Sequence, residues 1–307
     1  MKKLLLFLFV LNFSAGVLTA QQDVNYSHFM FNRLAFNPAY AGSKETLTIG
    51  AIYRHQWQGI QGAPRTGSVY AHTPFMNGRS GAGLSVTSDH VGMMSNNYFD
   101  LSYAYRIPTG DKGTLSLGLS GRLEMTQIDW TMARALDVDD QTIMGMAEGR
   151  TGVNFGAGAY YTNSKFYVGL SAPMLVSTTL YDDTTFGVSD IRRQRSYYLM
   201  TGYSFNLSEN VDFRPGALLT FNPNAPFETD INASFVFMDT FLAGASYRLG
   251  DSFDAVIQYK FAPEFKAGFA FDFTTTELRD YSDATFEIML EYMFDYKSDG
   301  VDNIRFF

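Results

Sequence analysis

The sequence of 307 residues contains no cysteine. Disulfide bonds and thiolate metal sites are therefore excluded, and so is the modified cysteine that anchors a bacterial lipoprotein. Charged residues are scarce, at 18% of the chain, and 31 acidic residues outnumber 23 basic ones, which gives a formal net charge of −8. This balance argues against a nucleic-acid partner, which would require a basic face.

Long apolar runs are also missing. Beyond residue 20 no segment approaches the roughly 18 apolar residues that a membrane-spanning helix requires. Residues 1–20 do have the basic start, the apolar run and the small residues of a secretory signal peptide, although Leu18 occupies a position that favours a small residue. We predict a signal peptide at residues 1–20 and a mature chain that starts at Gln21 or Gln22. A chain exported in this way either is soluble or crosses the outer membrane as a β-barrel.

Aromatic residues and glycine are abundant, with 28 Phe, 19 Tyr and 27 Gly. Many segments alternate apolar and polar residues with a period of two, which is typical of strands with one apolar face. Leu115, Leu117 and Leu119, for example, alternate with Ser116 and Ser120. Charged residues recur on the polar faces, and a charge that faced lipid at the midplane would cost about 2–4 kcal/mol. We therefore predict that these charges line a lumen: Arg106, Arg122, Glu124, Glu287 and Glu291.

The alternation predicts about fourteen strands of a length suited to tilted membrane strands. Their predicted spans are 46–56, 65–75, 80–90, 95–107, 113–127, 151–162, 165–172, 195–205, 211–221, 226–237, 240–249, 252–261, 264–273 and 283–294. Short connections alternate with mostly longer ones, as in an outer-membrane barrel with periplasmic turns and external loops. We predict an all-β fold, an antiparallel transmembrane β-barrel over residues 46–295 in the outer membrane. The alternative is a soluble secreted sandwich, whose outer face would be less apolar.

The segments on either side of the barrel have separate predictions. Residues 21–45 are rich in aromatic residues but show neither strand nor helix periodicity. Because such side chains are costly to leave in water, we predict an ordered segment that packs as a plug or against the periplasmic side. Residues 296–307 are predicted to form a periplasmic tail.

No pattern in the sequence predicts an enzyme, a cofactor or a metal site. Asp137, Asp139, Gln141 and Glu148 match positions 1, 3, 5 and 12 of a calcium-loop template, but Thr142 replaces its glycine. We interpret that segment as an acidic surface loop. The four histidines lack ligand spacing, and neither a nucleophile elbow nor a phosphate-binding glycine loop is found.

Three runs near the N-terminus carry a family resemblance: residues 26–32, residues 37–43 and residues 54–66. The third reads Gln-Trp-x-Gly-x-x-Gly-Ala-Pro-x-Thr from Gln56 to Thr66, a pattern that has no generic structural cause. In these runs the chain resembles the PorP/SprF family of Bacteroidetes outer-membrane proteins, which belong to the type IX secretion and gliding machinery. The resemblance implies a role in moving or holding large cell-surface proteins, often adhesins, and does not imply an enzyme.

Two sets of residues are candidates for partner contacts. The first comes from the family runs: Asn37, Pro38, Tyr40, Arg54, Gln56, Trp57, Gly59, Gly62, Pro64 and Thr66. The alternative is structural: Trp57 packs at the membrane rim, the glycines permit a tight backbone and Arg54 pairs inside the lumen. For Asn37, Pro38 and Tyr40 the structural alternative is a packed plug or turn. The second set lies in the predicted loop 173–194 and combines aromatic and basic side chains, which suit a protein partner or a variable solvated loop equally. It consists of Tyr181, Phe186, Arg192 and Arg193.

Three functional hypotheses remain open from the sequence. The first is an outer-membrane barrel of the type IX system that docks an exported surface protein, such as an adhesin, through its C-terminal sorting domain. The second is a diffusion porin for small solutes, which a polar lumen would permit. The third is a structural subunit of the machinery that contacts periplasmic lipoproteins of its ring.

Overall fold

The computed structural model describes residues 26–44, 46–110, 113–132, 147–183, 188–282 and 284–294. The predicted signal peptide, the segment that holds Asp137, Asp139 and Gln141, and the predicted tail 296–307 lie outside these residues. Within the described part of the chain no helix is long and apolar enough to cross a membrane.

Nearly all regular structure in the described residues is β-strand. The strands are β1 (Thr48–Gln58), β2 (Arg65–Phe75), β3 (Ser80–Val91), β4 (Met94–Thr109), β5 (Gly113–Asp129), β6 (Ala147–Thr162), β7 (Phe166–Ala172), β8 (Thr178–Asp183), β9 (Val188–Arg193), β10 (Tyr197–Tyr203), β11 (Phe205–Ser208), β12 (Val211–Phe221), β13 (Glu228–Phe237), β14 (Phe241–Arg248), β15 (Ser252–Lys260), β16 (Phe265–Thr274) and β17 (Ala284–Met293). Short 3-10 helices lie at Arg33–Ala35, Pro38–Tyr40, Trp130–Met132 and Glu277–Asp280.

Fourteen of these strands close into a ring. Each pairs antiparallel with its neighbour from β1 to β7, then β10, and then β12 to β17. The ring closes because β17 returns to β1, with Leu290 opposite Ala51, and β10 pairs with β12, with Met200 opposite Leu218. Strand β11 continues the line of β10 after Ser204 and pairs with the start of β12, where Phe205 lies opposite Phe213. The predicted antiparallel barrel of about fourteen strands is confirmed.

The connections fall on two rims. The turn rim carries the connections after β2, β4, β6, β11, β13 and β15, together with the start of β1 and the end of β17. The loop rim carries the connections after β1, β3, β5, β7, β12, β14 and β16, and these include the longest ones. By analogy with outer-membrane barrels in general, we expect the turn rim to face the periplasm and the loop rim to face outward.

One loop-rim connection contains structure that alternation along the chain does not predict. Strands β8 and β9 form a hairpin within the predicted loop 173–194, and they pair with each other in a sheet separate from the barrel. Each has only six residues, which is shorter than a membrane-crossing strand. The hairpin is therefore an extension of the loop rim and not a further barrel strand.

The two faces of the wall differ in polarity as a lipid-embedded barrel requires. Along β13, Asp230, Asn232 and Ser234 are buried inside, whereas Ile231 and Phe235 are exposed outside. Closure pairs every strand of the ring on both sides, so no backbone edge is left unpaired in hydrocarbon. The wall is thus apolar toward lipid and polar toward its lumen.

A charge placed on the outer face tests the position of the membrane. Leu119, near the middle of β5, is 65% exposed, and Leu207, beside the turn rim, is 60% exposed. We expect Leu119→Arg to lower the free energy of unfolding by about 2–4 kcal/mol, because its guanidinium would face lipid near the midplane. The matched control Leu207→Arg should cost only about 0–1 kcal/mol near the interface. Urea unfolding from lipid vesicles measures both costs, and equal costs would contradict the embedded position.

Candidate functional site: the plugged lumen

Residues 26–44 fill part of the lumen and are called the plug from here on. Phe29, Leu34, Phe36 and Tyr40 are buried, and together they form one apolar cluster with inward side chains of the wall. Burial of this aromatic surface is the main favourable contribution to holding the plug in place. The plug is a continuous part of the chain that enters β1 at the turn rim.

The sequence Asn37-Pro38 starts a turn of the plug and ties it to the wall. The Asn37 side chain accepts a hydrogen bond from the Ala39 backbone N–H at 2.9 Å, and Pro38 occupies the first position of the 3-10 helix. These are preferred residues for such a start, because the asparagine caps a free N–H and proline has none to satisfy. Asn37 Nδ2 also donates to the Ala159 carbonyl of β6 at 3.0 Å.

Glycines on the lumen face let the plug backbone approach the wall closely. A Cβ atom at Gly118 of β5 would overlap the backbone of Ala39, and one at Gly81 of β3 would overlap the carbonyl of Ala41. Any larger residue at either position would push the plug away from the wall. The backbone of the plug therefore packs directly against the backbone of the wall at these two glycines.

A buried group of charges joins the plug to the strands that close the ring, and we call it the seam cluster. It consists of Ser27, His28, Arg54, Asp272 and Glu287. Arg54 Nη2 of β1 lies 2.7 Å from Asp272 Oδ2, and Arg54 Nη1 lies 3.4 Å from Glu287 Oε2. The carboxylate of Glu287 also accepts the backbone N–H groups of Ser27 at 3.0 Å and His28 at 2.9 Å. His28 Nδ1 lies 2.6 Å from the same carboxylate.

A second group, the lysine cluster, lies nearer the turn rim. Glu291 Oε1 receives Lys44 Nζ of the plug at 2.5 Å and Lys266 Nζ of β16 at 2.8 Å. Tyr70 donates its hydroxyl to Glu291 Oε2 at 2.7 Å. Carboxylates buried in this way must be paired and hydrogen-bonded, since an unpaired buried charge is strongly unfavourable.

Arg33 fixes the far side of the plug. Its guanidinium carbon lies 3.9 Å from the centre of the Tyr167 ring, and its Nη1 donates to the Tyr160 hydroxyl at 3.2 Å. Tyr160 in turn packs edge-on against Tyr40, with ring centres 5.4 Å apart. The plug is thus held by polar contacts on opposite sides of the ring.

The family run 54–66 forms the end of β1, the first loop-rim connection and the start of β2. Trp57 has a positive φ of 50°, at an irregularity in the pairing between His55 and Gln58. Gly59 and Gly62 also have positive φ values, of 98° and 76°, which glycine adopts without strain. The loop is closed by a hydrogen bond from the Gln56 N–H to the Pro64 carbonyl at 3.0 Å. The run therefore contributes Arg54 to the seam cluster, and its remaining residues lie at the loop rim. There the Thr66 hydroxyl donates a hydrogen bond to the Asp89 carboxylate at 2.7 Å.

The structure separates the predicted lumen charges into several locations. Glu287 belongs to the seam cluster and Glu291 to the lysine cluster. Arg122 instead pairs with Asp100 on the neighbouring strand, with its Nε 2.6 Å from Oδ1. Arg106 and Glu124 are buried at other points of the wall.

The loop candidates are only partly described. In the β8–β9 hairpin the backbone of Arg192 lies opposite Thr179, that of Arg193 opposite Thr178, and that of Tyr181 opposite Ile191. Phe186 lies outside the described residues.

Several plug contacts escape sequence-based reasoning. Ser27, His28 and Lys44 belong to a segment without periodicity, so no pattern assigns them partners. An indirect indication of these contacts exists in the wall. Lys266 and Asp272 lie on the polar face of their strand, and a charge buried there requires a partner of opposite charge nearby. Among the described residues, no group of three or more histidine and acidic side chains is arranged to hold a metal ion.

Comparison with known proteins adds a family and a fold. The family model described as "Type IX secretion system membrane protein PorP/SprF" matches residues 18–292. No curated protein shows significant similarity to the chain.

Among solved structures, the "TodX deltaS2S3 mutant monoaromatic hydrocarbon channel" is similar with a TM-score of 0.52 and 11% identity, over 87% of this chain and 94% of that one. The "CymD monoaromatic hydrocarbon channel" gives a TM-score of 0.50 and 14% identity, over 92% and 96%. The outer membrane protein Omp33 of Acinetobacter baumannii gives 0.49 and 11%, over 81% and 98%. At these identities the likeness concerns the barrel fold alone.

Filling the space at Gly118 tests the fit of the plug. Because the chain has no native cysteine, Ser43→Cys, at a plug position that is 4% exposed, gives a single reporter thiol. We expect Gly118→Val to displace the plug and to make this thiol react with a maleimide, because the added Cβ overlaps Ala39. Gly121→Val on the same strand is the control, since a Cβ there meets no atom within 4 Å. A thiol that stays protected in the Gly118→Val barrel would contradict the fit.

Removing the cation of the seam cluster tests its contribution to stability. Arg54→Met should cost about 3–5 kcal/mol, because it leaves buried carboxylates without their partner. Adding Asp272→Asn should recover part of that loss, since it removes one of the stranded charges. Arg279→Met is the control: Arg279 and Asp280 are both exposed and 3.7 Å apart, and exposed pairs contribute about 0–1 kcal/mol. Denaturant unfolding compares the three, and an Arg54→Met cost as small as the control would refute the role of the cluster.

Proposed function

The chain belongs to the PorP/SprF family of type IX secretion system membrane proteins, and on that premise we propose that it holds an exported surface protein at the outer membrane. In this proposal the exported protein, such as an adhesin, docks at the loop rim through its C-terminal sorting domain. The barrel acts as a platform with a filled interior and not as the conduit for the protein.

The observation that carries the proposal is the anchored plug. Residues 26–44 are held against strands on several sides of the ring. The contacts are buried charge pairs, close backbone packing at Gly81 and Gly118, and an aromatic cluster. A diffusion pore needs a continuous open lumen, and a plug held on several sides of the ring argues against one. Binding at a rim remains available to a barrel whose centre is occupied.

The loop rim has the features of a protein-binding surface. It carries the family run at residues 59–64 and the β8–β9 hairpin. Several apolar side chains at this rim are exposed: Leu175, Val176, Phe227 and Tyr281. Exposed apolar groups set among polar loops are typical of protein contact sites.

We propose a second contact within the same machinery, at the turn rim. We expect this rim to face the periplasm, and periplasmic lipoproteins of the secretion ring are the partners that it would meet there. This contact complements docking at the loop rim, and the two can be tested separately by cross-linking from each rim.

Two measurements distinguish docking from solute diffusion. The purified full-length protein should show no steady current in planar bilayers, because the plug obstructs the lumen, whereas a persistent open-channel current would favour a porin. Deletion of the gene should remove proteins with a type IX sorting domain from the cell surface, as measured by surface proteomics. Normal surface display in the deletion strain would contradict the docking proposal.

Complementation locates the docking surface. A double variant of the loop rim, Val176→Ser with Tyr281→Ser, should fail to restore surface display because it removes exposed apolar contacts. The matched control is Met76→Ser with Met238→Ser, which changes two exposed residues in turn-rim connections. Both variants must reach the membrane in equal amounts. Equal rescue by the two variants would place the docking site elsewhere.

A further inference from the structure

A cavity of about 110 Å³ lies between the plug and the wall formed by β12 to β16. It is near the turn rim, because Lys44 at the end of the plug and Lys266 at the start of β16 both line it. A cavity of this volume can hold several water molecules, or one small ion in contact with the side chains around it. Because the cavity lies inside the ring, a ligand must enter through the lumen and not from the surrounding lipid.

The charge of the cavity is opposite to that of the chain. Every charged side chain among the described residues that line it is basic: Arg33, Lys44, Arg214 and Lys266. The chain as a whole has a net charge of −8, so this collection is not a consequence of composition. A concave site with one sign of charge concentrates ions of the other sign.

The charge of the two lysines is offset only in part. Glu291 is shared by two lysines, since its Oε1 receives Lys44 at 2.5 Å and Lys266 at 2.8 Å. One carboxylate therefore balances two ammonium groups. Arg214 lies 3.0 Å from Asp212 on its own strand and 3.9 Å from Asp239. The two lysines and their shared carboxylate carry a net positive charge that an anion would neutralise.

Neutral donors at the same cavity also lack partners. The Ser234 hydroxyl and the Gln258 side-chain nitrogen are buried and have no hydrogen-bond partner within the described part of the chain, and the same holds for one acceptor that lines the cavity, Asn232 Oδ1. Ser234 is only 2% exposed. A buried polar group without a partner costs about 1–3 kcal/mol, so something that accepts hydrogen bonds is expected beside these two atoms. Both residues line the cavity together with the basic groups.

We propose that this cavity binds a small oxyanion, of the size and charge of phosphate or sulfate. Such an ion carries several acceptor oxygens, which match the ammonium and guanidinium groups and the two neutral donors. The plug contributes Arg33 and Lys44 and the wall contributes the remaining groups, so the bound ion cross-links the plug to the wall. The ion would thus stabilise the filled state of the lumen.

Calorimetry of the purified full-length protein in detergent tests the site directly. Sodium phosphate and sodium sulfate are titrated separately at constant ionic strength in sodium chloride. We expect one saturable site that weakens at least about tenfold in Lys266→Met, because a charge-assisted hydrogen bond is lost. Lys165→Met should bind as the wild type does, since Lys165 is an exposed lysine of a turn-rim connection that does not line the cavity.

A second variant covers the case in which Lys266→Met does not fold. Ser234→Ala removes one neutral donor without changing the charge and should weaken binding severalfold. Absence of saturable binding of either ion would show that the cavity holds water only, and would overturn the proposal. Binding that is equally tight in the wild type, Lys266→Met and Ser234→Ala would place the ion elsewhere and would overturn it as well.

Discussion

Buried charges at the seam where the last strand meets the first constrain both the barrel and its plug, because each of them requires a partner. Arg54 and Glu287 lie opposite each other in the register of β1 and β17, and both point into the lumen. Burying such charges costs several kcal/mol per ion unless each is fully paired. Asp272 supplies the second carboxylate and the plug supplies Ser27 and His28. The strands that close the ring therefore also bind the plug through buried charges.

These contacts leave the interior of the barrel occupied by the plug. The solved structures similar to the chain include proteins named as channels, and the wall has the same general design of an apolar exterior and a polar interior. In this chain, polar side chains that could line a pore instead bind the plug. Under the proposed function, a component of the type IX secretion system with an occupied lumen meets its partners at the two rims. The long connections and the hairpin, all on one rim, are consistent with that use.

Much of the wall could be predicted from the sequence, because a membrane strand is constrained twice. The alternation of Leu115, Leu117 and Leu119 with polar residues distinguishes the lipid-facing side of the strand from the lumen-facing side. The length of the strand matches the thickness of the membrane. The hairpin β8–β9 lies outside the membrane and is free of both constraints, so alternation did not reveal it. The plug contacts are harder still to predict. Lys44 and Glu291 are paired across 247 positions of the chain, and no local pattern encodes which buried charges meet.

A disulfide bond between the plug and the wall tests the central claim most directly. A Cβ atom at Gly83 of β3 would lie 3.4 Å from the Cβ of Ala41, close to the separation of about 3.5–4.5 Å found in disulfides. Since the chain has no other cysteine, the variant Ala41→Cys with Gly83→Cys can form only this bond within one molecule. We expect this bond to form during export and to be detected by mass spectrometry, whereas Ala41→Cys with Gly121→Cys, on the outer face, stays reduced. Free thiols at 41 and 83 in the folded barrel would show that the plug does not occupy the lumen.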